Sequence, residues 1–370
     1  MQVLFIKPSP DASELHLILS LHRMGVPMRV LASPHCLARP ALEQHGLYIE
    51  ARRGRGKFQP ALIGQIRRLV RELGVTVIHA TDSSSLANAI WASYFTQVQV
   101  IGYRGTNSRI RRFDPTYWLG LLNPRVARII CVSRSIHEYL SRFLPRHKLV
   151  LNPKGYSPEW LGTDEELPAG FPTLPDDRFT VMHIGNSRGR PHKGVRFLID
   201  AFHQAQLESA HLVIVGDYDS DLPQRVQAGP AADRIFLAGP QPRAARWLRR
   251  ANVYVQPSTL EGLPRSVKEA MAQGVATVIT DIPGPTELIE HGRSGLVVPP
   301  ADASALARAL ERLQASAELR EQLGQGARQR LHNDFAPERF VQNTLDLYRE
   351  LERNRRPAFT PLRPGNQTAR

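Results

Sequence analysis

Short, uninterrupted apolar runs alternate with helical segments along the chain, and this alternation leaves little choice of architecture. In the first half the runs are QVLFI (2–6), a run near 28–32, VTVIHA (75–80), VQVIG (98–102), ARIICV (127–132) and KLVL (148–151). They are continuous rather than alternating, as strands buried on both faces of a parallel sheet are. Between them, apolar residues fall at helical spacing. Leu15, Leu17, Ile18, Leu21 and Met24 mark a helix over 12–24. Leu62, Ile63, Ile66, Leu69, Val70 and Leu73 mark another over 60–73, with Gly74 placed to stop it. Further helices are expected through Trp91 and over 134–144.

Residues 162–178 interrupt the pattern with Gly162, Pro168, Gly170, Pro172, Pro175, Asp176 and Asp177, which is linker composition. The same rhythm then restarts. Strands are expected at 179–185, 211–216, 234–239, 253–256, 275–280 and 295–298, with helices at 194–206, 264–273 and from 302 to about 354. At about 150 residues per domain, 370 residues make two. The expected fold class is therefore α/β, with two doubly wound Rossmann-like domains facing a central cleft. The boundaries read as a first domain over 1–165, a linker over 166–178, a second domain over 179–335, a last helix over 336–356 and a frayed tail over 357–370.

Composition narrows the function classes. Apolar residues at 42% and charged residues at 22% are those of a globular chain. There is no 18-residue apolar run, and the N-terminus MQVLFIKPSP reads as a first strand rather than a signal peptide. Two cysteines, Cys36 and Cys131, cannot build a disulfide framework and suggest a reducing compartment, so a cytoplasmic location is expected. The formal net charge is +14, and its distribution is uneven. Residues 1–165 hold 22 Lys and Arg against 11 Asp and Glu, whereas 166–370 hold 26 against 23. Such a field favours anionic partners. No aromatic-interleaved basic stretch or known reading module points to nucleic acid, and none is expected as a partner.

The loops that leave the carboxyl ends of strands hold the ligands in doubly wound folds. The most informative one lies in QPSTLEGLPRSVKEAMAQGVATVITDIPGPTELIEHGRSGLVVPP, from 256 on. It places Glu261 in a loop and Glu269 eight positions later, inside the helix that the loop opens. Free N–H groups at a helix start suit an anion or a hydroxyl, and carboxylates accept strongly from vicinal diols.

This block resembles the C-terminal domain of retaining glycosyltransferases of family four, which have the GT-B architecture. GNSRGRPHKGVRFLIDAF (185–202), LVIVGD (212–217) and ANVYVQPS (251–258) match in the same order. The resemblance implies a sugar transferase that uses a nucleotide-sugar donor such as a UDP-, ADP- or GDP-sugar, with no further cofactor. Glu261 and the backbone of Gly262, Leu263 and Pro264 would hold the sugar hydroxyls. Glu269 would hold the ribose. Lys193 with Arg188, or with Arg190 in another register, would bind the diphosphate, near Gly185. Metal is not expected, and Asp217 and Asp219 read as an acidic loop after a strand. The last helix, with Phe340, Leu345, Leu347, Tyr348 and Leu351, would cross back onto the first domain.

The first half matches the family less closely. KPSPDASE (7–14) has no glycine where members carry a Gly-rich loop, and Arg104 stands about where members carry a His. An Arg can clamp an anion but cannot act as a base. Arg104 and Asp82 are therefore acceptor-side candidates, as are the basic loops Arg52, Arg53, Arg55, Lys57 and Arg109, Arg111, Arg112. The latter precedes Trp118, Leu119, Leu121 and Leu122, a composition that suits peripheral contact with an anionic inner membrane face. The expected acceptor is an anionic glycan or a lipid-linked one, in lipopolysaccharide core or surface polysaccharide synthesis. A degenerate glycan- or nucleotide-binding relative, or a nucleotide-sugar epimerase on the same fold, is the alternative.

Overall fold

The computed structural model describes residues 1–54, 56–106, 109–111, 114–161 and 178–354. The expected linker, apart from Arg178, and the expected tail lie outside these residues, as do Arg55 and Arg112.

The strands of the first half are β1 (Val3–Ile6), β2 (Met28–Ala32), β3 (Tyr48–Glu50), β4 (Val77–Ala80), β5 (Gln99–Arg104), β6 (Val126–Cys131) and β7 (Leu149–Leu151). They form one sheet in the order β3-β2-β1-β4-β5-β6-β7. Val3 of β1 lies opposite Met28 and Val77 in parallel register. The second half contributes β8 (Phe179–Ile184), β9 (Ala210–Val215), β10 (Ile235–Gly239), β11 (Val253–Gln256), β12 (Ala276–Thr280) and β13 (Leu296–Val298). Their order is β10-β9-β8-β11-β12-β13. The strands expected from apolar runs occur within one or two residues of their expected bounds. β3 was not among them. It is a three-residue edge strand that buries none of its side chains fully, so it leaves no apolar run to read.

The second sheet shows why its strands read as continuous. Successive side chains alternate faces. Leu212, Ile214, Val253 and Val255 enter one core with Leu198, Phe202 and Leu310. Val213, Val215 and Tyr254 enter the other, with Trp247, Met271 and Leu331. Both faces are covered, so apolar residues occupy most positions, and Thr180, His183, Gln256, Thr277 and Thr280 are the buried polar exceptions.

Contacts divide the chain into two compact units. One comprises Met1–Tyr103, Arg111–Ile130 and the chain from Val341 on; the other comprises Arg104–Ile110 and Cys131–Phe340. Most of the last helix, Pro337–Arg353, thus belongs to the first unit. Its Tyr348 is buried, and the hydroxyl lies 2.7 Å from Nδ1 of His79 on β4. Arg128 of β6 pairs with Glu350 on the same helix. Among the described residues, no helix is long and apolar enough to cross a membrane.

Candidate functional site

The second sheet reverses its strand order at β8 and β11, the position at which doubly wound folds open a crevice at the strands' carboxyl ends. Two loops leave these ends, 185–194 after β8 and 257–264 after β11. They are locked together by backbone. Gly194 has φ +71°, and a Cβ there would sit 1.9 Å from the Pro257 carbonyl oxygen. Thr259 N–H donates to the His192 carbonyl at 2.7 Å. On the other side, a Cβ on Gly216 would sit 2.3 Å from the Gly185 oxygen, which explains the glycine that follows β9. Gly194→Ala should therefore lower stability by about 3 kcal/mol, from backbone overlap and left-handed strain together. Chemical denaturation measures it; an unchanged midpoint would show that the two loops are free to separate.

The lock brings Lys193 and Glu261 together. Lys193 Nζ lies 2.6 Å from Glu261 Oε1, and both side chains retain a minor exposure of 19% and 11%. The same oxygen accepts from Ser258 Oγ at 2.9 Å and Gln256 Nε2 at 3.0 Å. Gln256 is buried at the end of β11, and its amide has one orientation. Its Oε1 accepts from Tyr254 Oη at 2.6 Å and from Ser266 Oγ at 3.0 Å, which turns the NH2 group toward Ser258 and Glu261. Glu261 is thus held by three donors on one oxygen.

Pro264 precedes the helix Arg265–Gln273 and makes no side-chain cap bond to it. Gly284, at φ +102°, lets the loop after β12 approach; a Cβ there would sit 1.6 Å from the Gly262 oxygen. Glu269 lies buried on that helix, with Arg265 Nε 2.6 Å from its Oε1. Burial raises its pKa above the ordinary carboxylate range, and Arg265 works against that rise. The Glu269 and Glu261 carboxylates both act on the buried Tyr254 hydroxyl, whose pKa burial pushes up.

His183 of β8 is fully buried next to this network. Its Nδ1 lies 2.9 Å from the Val255 oxygen, its ring stacks on Tyr254, and Nε2 has no hydrogen-bond partner among the described residues. A Cβ on Gly185 would come within 3.1 Å of that Nε2. Burial pushes the pKa down to about 4, with the Val255 bond opposing and the Lys193 charge assisting. The unfolded chain therefore binds a proton more readily, between its ordinary value of about 6.5 and the folded value. Stability from this group is present above that window and is lost as pH falls through it, by about 3 kcal/mol. His183→Leu should flatten the acid limb of the stability profile. An unchanged slope between pH 6.5 and 4 would assign the limb to other groups.

The other expected residues fall elsewhere. Arg188 is exposed, donates from Nε to the Tyr218 oxygen at 3.3 Å and lies 3.8 Å from Asp217. Arg190 is exposed on the same loop, where its N–H caps a turn from Ser187. Asp219 accepts from Gly189 N at 2.7 Å and lies 3.8 Å from Arg196. Arg104 ends β5, close enough to Cys131 for its charge to act on the thiol. Asp82 is the N-cap of the helix Ser83–Ser93, with Arg53 at 4.0 Å. Lys7, in the loop without glycine, pairs with the buried Glu14 at 3.5 Å. Trp118 and Leu119 are half-exposed, while Leu121 and Leu122 are buried. Reading the sequence missed Gln256, Ser258, Tyr254, Ser266 and His183. The available signal was a polar residue inside or next to an apolar strand run, at His183 and Gln256.

Residues 178–316 match the family model described as "Glycosyl transferases group 1", and residues 15–160 match "Glycosyltransferase Family 4". A phosphatidyl-myo-inositol mannosyltransferase of Mycobacterium leprae is 28% identical over 72% of this chain and 71% of that protein. A lipopolysaccharide core biosynthesis mannosyltransferase, LpcC, of Rhizobium leguminosarum is 36% identical over 34% of this chain and 36% of its own length. Among solved structures, Anabaena HepE in complex with UDP superposes with a TM-score of 0.77 at 19% identity, covering 95% of this chain and all of that one.

Proposed function

This chain belongs to glycosyltransferase family 4 and has the GT-B fold, and from that premise we propose that it transfers a sugar, with retention, from a nucleotide-sugar to an anionic glycan or lipid-linked acceptor. The observation that carries the reading is the Lys193–Glu261 pair at 2.6 Å, held at the strand-order reversal, with Glu269 buried on the helix that the Glu261 loop leads into. Glu261 accepts hydrogen bonds from the donor sugar's hydroxyls, beside the backbone of Gly262 and Leu263. Glu269 accepts from the ribose. Lys193 then turns from Glu261 to the diphosphate, where it stabilises the charge that grows as the leaving group departs. Arg188 or Arg190 joins it by moving from its surface position. The acceptor oxygen bonds to the anomeric carbon on the face that the phosphate oxygen leaves, and that oxygen takes the acceptor's proton. No histidine base is needed, which suits a chain with Arg104 in that region. Asp217 and Asp219 already face arginines. This supports a diphosphate neutralised by cations rather than by a metal.

The lipopolysaccharide and phosphatidylinositol relatives support a cell-envelope acceptor, and with it a position at the inner membrane face. A thermal-shift screen against UDP, GDP, ADP and CMP and their sugars, with and without EDTA, tests the donor half. A selective shift that survives EDTA is expected and identifies the donor. No shift with any nucleotide would favour a degenerate relative.

A further inference from the structure

The surface of the first unit carries a feature that donor chemistry does not use. Phe58, Trp91, Tyr94 and Phe95 form a continuous run of rings, with centroids 5.8, 5.6 and 6.4 Å apart. Phe58 is 58% exposed, Trp91 38%, and Phe95 fully. Phe95 also has φ +65°, an uncommon and strained conformation for a bulky residue. Its turn is nevertheless firmly held. The Arg125 guanidinium donates to the carbonyls of Ser93, Thr96 and Val98 at 3.0, 2.8 and 2.8 Å. Asn123 ties the neighbouring turn to the same arginine: it accepts from Arg125 N and donates to the Trp118 carbonyl. Trp118 and Leu119 are half-exposed there.

Cations adjoin these rings. Residues 51–71 contain seven Lys and Arg and no Asp or Glu. Arg67 donates to the Trp91 carbonyl at 3.0 Å and makes no ion pair among the described residues. Lys57 adjoins Phe58 and is exposed. Aromatic rings beside Lys and Arg match the composition of a membrane–water interface on an anionic leaflet. A second copy of the chain would bring the same cations face to face, which argues against self-association.

We propose that the Phe58–Trp91–Tyr94–Phe95 run, with Lys57 and Arg67 beside it, is where the protein docks on an anionic lipid bilayer. The proposal extends the reading of a lipid-linked acceptor and names the surface that brings the enzyme to it. Its test uses no donor, so it stands apart from the nucleotide screen. Cosedimentation with vesicles of phosphatidylcholine and 30% phosphatidylglycerol, against phosphatidylcholine alone, measures it. The whole chain should bind the anionic vesicles and release at high salt. Phe58→Ser with Phe95→Ser should weaken binding about tenfold or more, with melting temperature and nucleotide-induced shift unchanged, because both side chains are exposed. Arg67→Glu should weaken it too. Three results would overturn the proposal: no binding by the parent chain, binding that the double variant retains in full, or a concentration-dependent dimer that the double variant abolishes in place of vesicle binding.

Discussion

Glu261→Gln should reduce the turnover number by about 10²–10³-fold while the protein remains folded. Three donors converge on Glu261 Oε1, from Lys193, Ser258 and Gln256. The amide keeps the volume and one acceptor oxygen. It loses the charge that makes hydrogen bonds to sugar hydroxyls strong. The effect belongs in kcat more than in nucleotide affinity, because the diphosphate is assigned to other residues. The check is steady-state kinetics with the donor found by the screen, beside the thermal shift with the free nucleoside diphosphate. Turnover within a few-fold of the parent would remove Glu261 from the transfer step.

Lys193→Ala should have the opposite signature, a loss of about 10²-fold in affinity for the free nucleoside diphosphate. The lysine is removed from a largely enclosed pair, and Glu261 is left facing the incoming phosphates as a like charge. Ser258 and Gln256 still solvate that carboxylate, so the folding penalty should stay near 1–2 kcal/mol, below that of a fully buried broken pair. Titration calorimetry reads the first effect and denaturation the second. Unchanged diphosphate affinity would move the phosphate site to the arginines of 188–190. A double variant with Glu261→Gln should recover part of the lost affinity, since it removes the unpaired charge.

Much of this protein is legible in its residues. The continuous apolar runs at 2–6, 28–32 and 253–256 became strands near those bounds, because a strand covered on both faces has no polar side to disguise it. Gly74 does follow the helix Pro60–Glu72, at φ +63°, as a residue free to turn left-handed should. The ordered motifs around Glu261 were local enough to be recognised as a block. Less visible was the support beneath them. Gln256 and Tyr254 lie two positions apart in a strand, and alternation alone would send their side chains to the same face without saying what they meet there.

The sequence by itself determined the α/β fold class and offered the carboxylates on which the chemistry is proposed to rest, because periodicity and turn residues act over a few positions. Only the tertiary structure decided that Lys193 and Glu261, 68 positions apart, share one hydrogen bond. It alone also put Arg188 on Asp217, and Phe58 beside Trp91 in an exposed aromatic run. Those contacts depend on parallel crossovers and on backbone approaches such as that of Gly194 to Pro257. They join residues that are distant in the chain, and no local pattern records which distant backbone will pack against them.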